Sequence, residues 1–132
     1  MIRRIAYVSR PRTGLSFAEI PRIVAASRAR NTLSGITGVL LFTGQDFAQL
    51  IEGPPRPVAD LWQCIRADPR HHDLAVFLDE RAPAPWFGDW RVGFPSDAVV
   101  TAQIDAWRKR GSQWDDAQRC ELRRLLAAID AV

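Results

Sequence analysis

Two apolar stretches separated by a short polar turn constrain the fold of this chain more than any other feature. Residues 34–43 read as one strand, Ser-Gly-Ile-Thr-Gly-Val-Leu-Leu-Phe-Thr, and residues 47–52 return as a second, Phe-Ala-Gln-Leu-Ile-Glu. The turn between them contains Gly44 among polar residues, which is typical of a hairpin connection. Because the first strand is apolar on both faces beyond Thr37, the sequence predicts a hairpin within a covered sheet.

The remaining chain supplies further strands and helices around this hairpin. Alternating apolar residues predict three more strands, at residues 2–9, 73–79 and 86–94. Apolar residues at helical spacing predict four helices, at residues 16–30, 56–67, 99–110 and 114–129, the last two separated at Gly111 and Ser112. The first seven elements therefore follow the order β-α-β-β-α-β-β, which is the ferredoxin-like split β-α-β pattern with an added strand.

This order of elements predicts the layers of an α+β fold. We expect a ferredoxin-like sheet with the first two helices on one face, which makes the first and third strands parallel central neighbours and places Tyr7 beside Gln49 beneath the helices. The second face of the sheet is apolar and has no other cover, so the C-terminal helices should lie on it, in this chain or in a partner. We therefore expect a domain over residues 1–95 and a helical extension over residues 96–132 that packs on the sheet.

Gln49 is the polar residue that such a fold has to explain. Phe47, Gln49 and Ile51 share one face of their strand, because strand side chains alternate. An amide left without partners in a core costs about 1–3 kcal/mol per group. Either the protein backbone satisfies Gln49, or a polar ligand does.

Two interpretations of the polar residues remain open from the residues alone. In the first they are structural: Asn31 caps the first helix, Tyr7 bonds a backbone carbonyl and Gln49 is an isolated core amide. In the second, the same three residues converge between the two helices on a flat polar ligand. Tyrosine can donate an electron and a proton, glutamine can pass a hydrogen bond in either sense, and asparagine matches an imide edge. That set suits a flavin ring and does not suit hydrolysis.

Composition and motifs argue against several other classes of protein. The net charge is +3 and the arginines are scattered, so nucleic-acid binding is not expected. No apolar run approaches the roughly 20 residues of a membrane span, and no signal peptide is recognised, so we expect a cytoplasmic protein. No GxSxG, P-loop or GxGxxG occurs, and an enzyme is not expected.

The cysteines and histidines give no metal-site pattern. Cys64 and Cys120 stand at apolar positions of predicted helices and are expected to be small buried residues. His71 and His72 are adjacent, so on a strand or loop they point apart, and no carboxylate or cysteine stands at ligand spacing. We expect no metal site.

Three short motifs, taken with the residues already discussed, resemble a BLUF domain, the blue-light sensor that uses flavin. The motifs are Gly-Ile-Thr-Gly at residues 35–38, Phe-Ala-Gln-Leu-Ile-Glu-Gly at residues 47–53 and Asp-Pro-Arg-His at residues 68–71. They occur with Tyr7 and Asn31 in the right order and spacing, over about residues 2–94. Each motif alone is weak, and their combination is specific.

The resemblance implies a noncovalently bound FAD whose ring lies between the first two helices. Asn31 would hold the imide edge, and Gln49 would bridge Tyr7 and the flavin. The cofactor-binding residues would be Tyr7, Ile23, Ser27, Arg30, Asn31, Gln49, Ile65 and Arg70. Blue light would move an electron and a proton from Tyr7 to the flavin and back, leaving the Gln49 hydrogen bonds rearranged and no net reaction.

The resemblance also implies how a signal would leave the site. It would pass through the last strand, by way of Trp90 and Val92, into the C-terminal helices and on to a downstream protein that the sequence does not identify. We expect a homo-oligomer. Val92 stands where many members carry methionine, and Cys64 where some carry a basic residue near the flavin phosphates. The alternative is a flavin-free ferredoxin-like interaction module, and a flavin-dependent reductase is disfavoured because no nicotinamide site is recognisable.

Overall fold

The computed structural model describes residues 1–15, 17–96, 98–110 and 114–129, without the side chain of Phe17. Its elements are β1 (Ile2–Pro11), a 3-10 turn (Phe17–Glu19), α1 (Ile20–Ser34), β2 (Thr37–Phe42), β3 (Phe47–Gly53), α2 (Pro55–Ala67), β4 (His71–Ala82), β5 (Trp90–Gly93), α3 (Ala98–Lys109) and α4 (Asp116–Ala128). The predicted helix start at Ser16 and the predicted break at Gly111 and Ser112 lie outside the described residues. No helix among the described residues is long and apolar enough to cross a lipid bilayer.

Five strands form one sheet in the order β4-β1-β3-β2-β5. β1 pairs with both β3 and β4 in the antiparallel sense, and β2 pairs antiparallel with β3. The added strand β5 lies at one edge and runs parallel to β2. The prediction of a ferredoxin-like α+β sheet with an extra strand is confirmed, and β1 and β3 are central neighbours as expected.

The predicted parallel orientation of the first and third strands is wrong, because β1 and β3 are antiparallel. The crossover through α1 returns β2 in the same direction as β1, whereas the tight β2–β3 turn reverses the chain. Since β3 lies between β1 and β2, it opposes both of them. The facing of the side chains is unaffected, and Tyr7 pairs directly with Gln49.

Apolar residues cover both faces of the sheet in two separate clusters. The first cluster joins one face to α1 and α2 through Ile20, Val58, Leu61 and Ile65. The second joins the opposite face to α3 and α4 through Ile104, Trp107, Leu122 and Leu126. The C-terminal helices of this chain therefore cover the second face, as its lack of other cover predicted.

α1 extends about one turn beyond its predicted end and stops at Gly35, whose φ of 71° lies in the left-handed region that favours glycine. The N–H of Gly35 donates to the carbonyl of Thr32, and the N–H of Ile36 donates to the carbonyl of Asn31. These backbone bonds close the helix without any side-chain cap. The interpretation of the Asn31 side chain as a helix cap is therefore wrong.

Gly38 allows β2 and β3 to approach each other closely. Its φ is 148°, and a Cβ at this position would lie 1.9 Å from the carbonyl oxygen of Leu50. A side chain here would push the two strands apart. The close approach preserves the register in which Leu40 pairs with Gln49.

β5 begins at Trp90 rather than at residue 86, so the predicted last strand is too long. The N–H groups of Trp86 and Phe87 donate to the carboxylate of Glu52 at 2.8–3.2 Å, and not to a neighbouring strand. The Glu52 side chain of β3 thus accepts the hydrogen bonds of backbone that would otherwise have extended β5.

The two cysteines are exposed, so the prediction that they are buried is wrong. In α2 the buried positions are Val58, Leu61 and Ile65, and Cys64 precedes the last of them on the solvent side. In α4 the buried positions are Leu122 and Leu126. Both helices are amphipathic. Cys64 lies beside the buried stripe of α2, whereas Cys120 lies two residues before Leu122, on the side of α4 that faces away from the core.

Candidate functional site

A row of directly paired side chains crosses the whole sheet on the face covered by α1 and α2. In strand order from β4 to β5, the row consists of Val76, Tyr7, Gln49, Leu40 and Val92. Its two polar members, Tyr7 and Gln49, occupy the central strands and are flanked by apolar residues. Gln49 is therefore separated from the last strand by a single side chain, Leu40.

Tyr7 and Gln49 are joined by a hydrogen bond in which the phenol donates to the Gln49 Oε1. Tyr7 is 3% exposed and Gln49 is 9% exposed. Because the phenol is the donor, the amide oxygen faces Tyr7. Gln49 also lines a cleft. The structural interpretation, in which Tyr7 bonds a backbone carbonyl and Gln49 is isolated, is wrong on both points.

The surroundings of Tyr7 keep its phenol neutral. Burial raises the pKa of Tyr7 well above its ordinary value, and the nearby charge of Asp68 acts in the same direction. The indole of Trp62 packs against the Tyr7 ring with centroids 5.3 Å apart, and the His71 ring meets its edge at 6.1 Å. Tyr7 thus holds its proton at any ordinary pH and presents it only to Gln49.

A cleft opens between α1 and α2 above this pair, with about 520 Å³ of space that is partly open to solvent. Its lining residues are Tyr7, Ile23, Ser27, Arg30, Leu40, Phe47, Gln49, Ile65, Asp68, Arg70 and His71. Every residue that the sequence predicted to bind a cofactor lies in this lining except Asn31. Ile23 and Ile65 come from the two helices, so apolar side chains stand on both sides of the cleft.

Asn31 lines an adjoining cavity between α1 and α2, with about 580 Å³ of space that is partly open to solvent, and this cavity shares Arg30 with the first. Its side chain is 1% exposed, and both Nδ2 and Oδ1 are buried without a hydrogen-bond partner among the described residues. Buried amides in native proteins almost always have partners. The Asn31 amide therefore offers an unpaired donor and an unpaired acceptor at the wall of this cavity. An imide edge matches that pattern.

Some lining residues were not foreseen from the sequence. Leu40, Phe47, Asp68 and His71 also line the cleft. Phe47 could have been found because it shares a strand face with Gln49, and Leu40 because the hairpin register places it opposite. His71 falls between the predicted helix at residues 56–67 and the predicted strand at residues 73–79. In the structure it begins β4, its Nε2 bonds the carbonyl of Ile65 at 2.6 Å, and its Nδ1 bonds the hydroxyl of Ser9 at 2.8 Å.

The predicted relay residues lie on the same face as the cleft. Trp90 and Val92 are 8% and 1% exposed and belong to the core beneath α1 and α2. Val92 pairs with Leu40, whereas Trp90 pairs with Gly38. The Trp90 Nε1 is buried and has no partner among the described residues. The described residues also contain no group of three or more histidine, cysteine or acidic side chains that could hold a metal ion.

Asp68 and Arg70 form an ion pair at the open end of the cleft, with Nη2 and Oδ2 2.6 Å apart. The Arg70 guanidinium holds the pKa of the Asp68 carboxyl below its ordinary value, mainly through this hydrogen bond. Asp68 in turn raises the pKa of Arg70. Arg70, which the resemblance implies is a cofactor-binding residue, therefore already has a charged partner in Asp68.

We expect Asp68→Asn to lower the free energy of unfolding by about 0.5 kcal/mol at pH 7, since the pair is partly exposed. Because the folded pKa is depressed, the contribution of ionised Asp68 is present above its unfolded pKa and is lost as pH falls through the folded value. Urea unfolding at pH 7 and near pH 2 measures this contribution. The parent and Asp68→Asn should have the same free energy of unfolding at the lower pH. Asp60→Asn, in an exposed pair with Arg56, is the control and should match the parent at both.

These residues fit a flat ligand with a polar edge. Ile23 and Ile65 offer apolar contacts from the two helices, Gln49 and Asn31 offer amide donors and acceptors, and Arg30 lies where the two cavities meet. The unpaired donor and acceptor of Asn31 are the observation that supports a ligand over a closed core.

Sequence comparison identifies relatives of the larger part of the chain. The family model described as BLUF, sensors of blue-light using FAD, matches residues 2–93. The blue light- and temperature-regulated antirepressor BluF of Escherichia coli (strain K12) is 38% identical over 88 residues, which cover 67% of this chain and 22% of that protein. The photoactivated adenylate cyclase subunit alpha of Euglena gracilis is 43% identical over 81 residues, 58% of this chain and 8% of that protein. The chain spans less than a quarter of the length of these relatives.

Structural comparison extends the likeness to the C-terminal helices. BlrB, a BLUF protein in its dark state, superposes with a TM-score of 0.76 at 36% identity, covering 96% of both chains. BlsA in its photo-activated state superposes with a TM-score of 0.80 at 18% identity, which shows a common fold. The chain therefore belongs to the BLUF family, the sensors of blue light that use FAD.

Proposed function

We propose that the chain is a blue-light photoreceptor in which Tyr7 and Gln49 form the switch. The observation that carries this proposal is the buried hydrogen bond between the two side chains, at the floor of a cleft between two helices. An amide that can be satisfied in two orientations is a bistable element, and a switch needs one.

The residues that would hold FAD follow from the two adjoining cavities. Asn31 would pair with the imide edge, Ile23 and Ile65 would flank the ring, and Ser27 would lie beside it. Arg30 and Arg70 are the lining cations that could meet the diphosphate. When bound, FAD supplies absorption of blue light and a strongly oxidising excited state.

Tyr7 would act as a reversible donor of one electron and one proton. Burial keeps its phenol protonated, so the proton is available for transfer together with the electron. While Tyr7 lacks its proton it cannot donate to Gln49, and the amide is free to turn. When the electron and the proton return, Tyr7 meets a differently oriented amide, so the net change is confined to hydrogen bonds.

Signal output would involve the C-terminal part of the chain. We propose that residues 1–95 form the flavin-binding domain and that residues 96–132 form an extension that carries the response. Leu40 lies between Gln49 and Val92 in the row, and Trp90 belongs to the same core. We also propose that the chain forms a homo-oligomer and that its response acts on a downstream protein.

An absorption spectrum of the purified protein, in the dark and under blue light, tests this function. We expect a flavin spectrum that moves slightly to the red in light and relaxes in the dark. A flavin spectrum that bleaches or does not move would contradict the Tyr7–Gln49 switch. A colourless protein that cannot be reconstituted with FAD would instead support the flavin-free interaction module.

A further inference from the structure

β3, the strand that carries Gln49, has a buried carboxylate at each end. Asp46 immediately precedes the strand and is 5% exposed, and Glu52 lies near its last residue and is 0% exposed. Each stands three residues from Gln49. Because strand side chains alternate, both carboxylates face the side of the sheet opposite to Gln49, where α3 and α4 pack.

The carboxylate at the start of β3 is bound to α3. Arg108 of α3 donates to the Asp46 Oδ1. The same guanidinium donates to the carbonyl of Asp73 at 3.2 Å. Arg10 stands further off, with its Nε 3.9 Å from Asp46. The closest charged partner of Asp46 among the described residues is thus a side chain of a C-terminal helix.

The carboxylate at the end of β3 is linked to α4 by a chain of three ion pairs. Arg4 of β1 bonds Glu52 at 2.8 Å and Glu80 of β4 at 2.6 Å, and Glu80 bonds Arg119 of α4 at 2.7 Å. The side chains of Arg4 and Glu52 are almost completely buried. Glu52 also accepts from the backbone ahead of β5, as described above, so this end of β3 is held on several sides.

We propose that Asp46 and Glu52 transmit the change at Gln49 from β3 to the two C-terminal helices, Asp46 by its bond to Arg108 and Glu52 through Arg4 and Glu80. Buried ion pairs depend steeply on geometry, because each charge has left water and relies on its partner. A shift of β3 that accompanies the turning of the Gln49 amide displaces both carboxylates. Arg108 follows at one end and Arg119 at the other. This output route is separate from Trp90 and Val92, and it rests on the proposed function.

Hydrogen exchange of the FAD-loaded full chain, in the dark and under blue light, tests the route. Peptides from α3 and α4 report the light-induced difference in amide hydrogen exchange in each helix. We expect Arg108→Gln to reduce the difference in α3 at least threefold and to leave α4 unchanged. We expect Arg119→Gln to do the reverse. Both variants should keep the spectral red shift, because neither side chain lines the flavin cleft.

Matched variants separate transmission from simple anchoring. Arg123→Gln removes the same charge from an exposed position of α4 and should behave as the parent. If a glutamine variant releases its helix in the dark, the lysine variant at that position retains the charge and should restore part of the light-induced difference. If Arg108→Gln and Arg119→Gln both keep the parent's light-induced difference in exchange, the proposal is overturned. It is also overturned if Arg123→Gln loses as much of that difference in α4 as Arg119→Gln does. A parent with a red shift but no difference in either helix would also overturn it. A parent without a red shift would remove the proposed function itself, and this route with it.

Discussion

Replacement of Tyr7 by phenylalanine is expected to abolish the light-induced red shift while leaving FAD bound. Phenylalanine fills nearly the same volume in the core, so the cleft and the sheet persist. The hydroxyl that donates to the Gln49 Oε1 is lost, and with it the proton that the switch has to move. The chain contains a single tyrosine, so no second phenol can take over.

The measurement is a light-minus-dark difference spectrum of Tyr7→Phe, with FAD content determined from the same sample. We expect the amplitude of the red shift to fall below about a tenth of the parent value. Trp62→Phe is the control, because the indole packs on the Tyr7 ring and is another possible electron donor. That control should keep most of the shift. A normal shift in Tyr7→Phe would exclude the tyrosine mechanism.

Replacement of Asn31 by leucine is expected to weaken FAD binding and to stabilise the flavin-free protein. Two hydrogen bonds to an imide edge, at about 0.5–1.5 kcal/mol each, correspond to a loss of roughly 5- to 150-fold in affinity. Leucine has a similar shape and no polar atoms. The buried Nδ2 and Oδ1 have no partners among the described residues, so their removal should raise the free energy of unfolding by about 1 kcal/mol.

Opposite changes in binding and in stability distinguish a ligand-binding amide from a structural one. FAD titration followed by flavin fluorescence gives the affinity, and urea unfolding of the flavin-free protein gives the stability. Ser34→Ala lies in the same helix and lines the same cavity, and it should change affinity less than about twofold. A less stable flavin-free protein with unchanged affinity would return Asn31 to a structural role.

The sequence was sufficient to predict the layers of the fold. Apolar periodicity marked the strands and helices, and the order of elements determined which strands are neighbours. The predicted parallel direction of β1 and β3 was wrong, although the hairpin turn between β2 and β3 already implied the antiparallel direction. The pairing of Tyr7 with Gln49 was correct, because alternation fixes the face of a strand residue whichever way its neighbour runs.

The candidate site was predicted in part for the same reason. Residues on regular elements that share a face with Tyr7 or Gln49 were placed correctly around the cleft. Cys64 and Cys120 were misplaced, because each step along a helix turns the side chain by about 100°, so a position one or two residues from a buried residue can face solvent. His71 was missed because its partners, Ser9 and the carbonyl of Ile65, come from two other elements.

The sequence by itself determined the alternation of buried and exposed positions, the hairpin and the motifs typical of the family, since these depend on neighbours a few residues apart. Only the tertiary structure decided that Asn31 is buried without a partner and that Asp46 and Glu52 connect β3 to the C-terminal helices. Those facts depend on charges and donors far apart in the chain, such as Arg108 with Asp46 and Arg119 with Glu80. No local pattern encodes such pairs, because an ion pair forms only where the packed sheet and helices bring its two side chains within bonding distance.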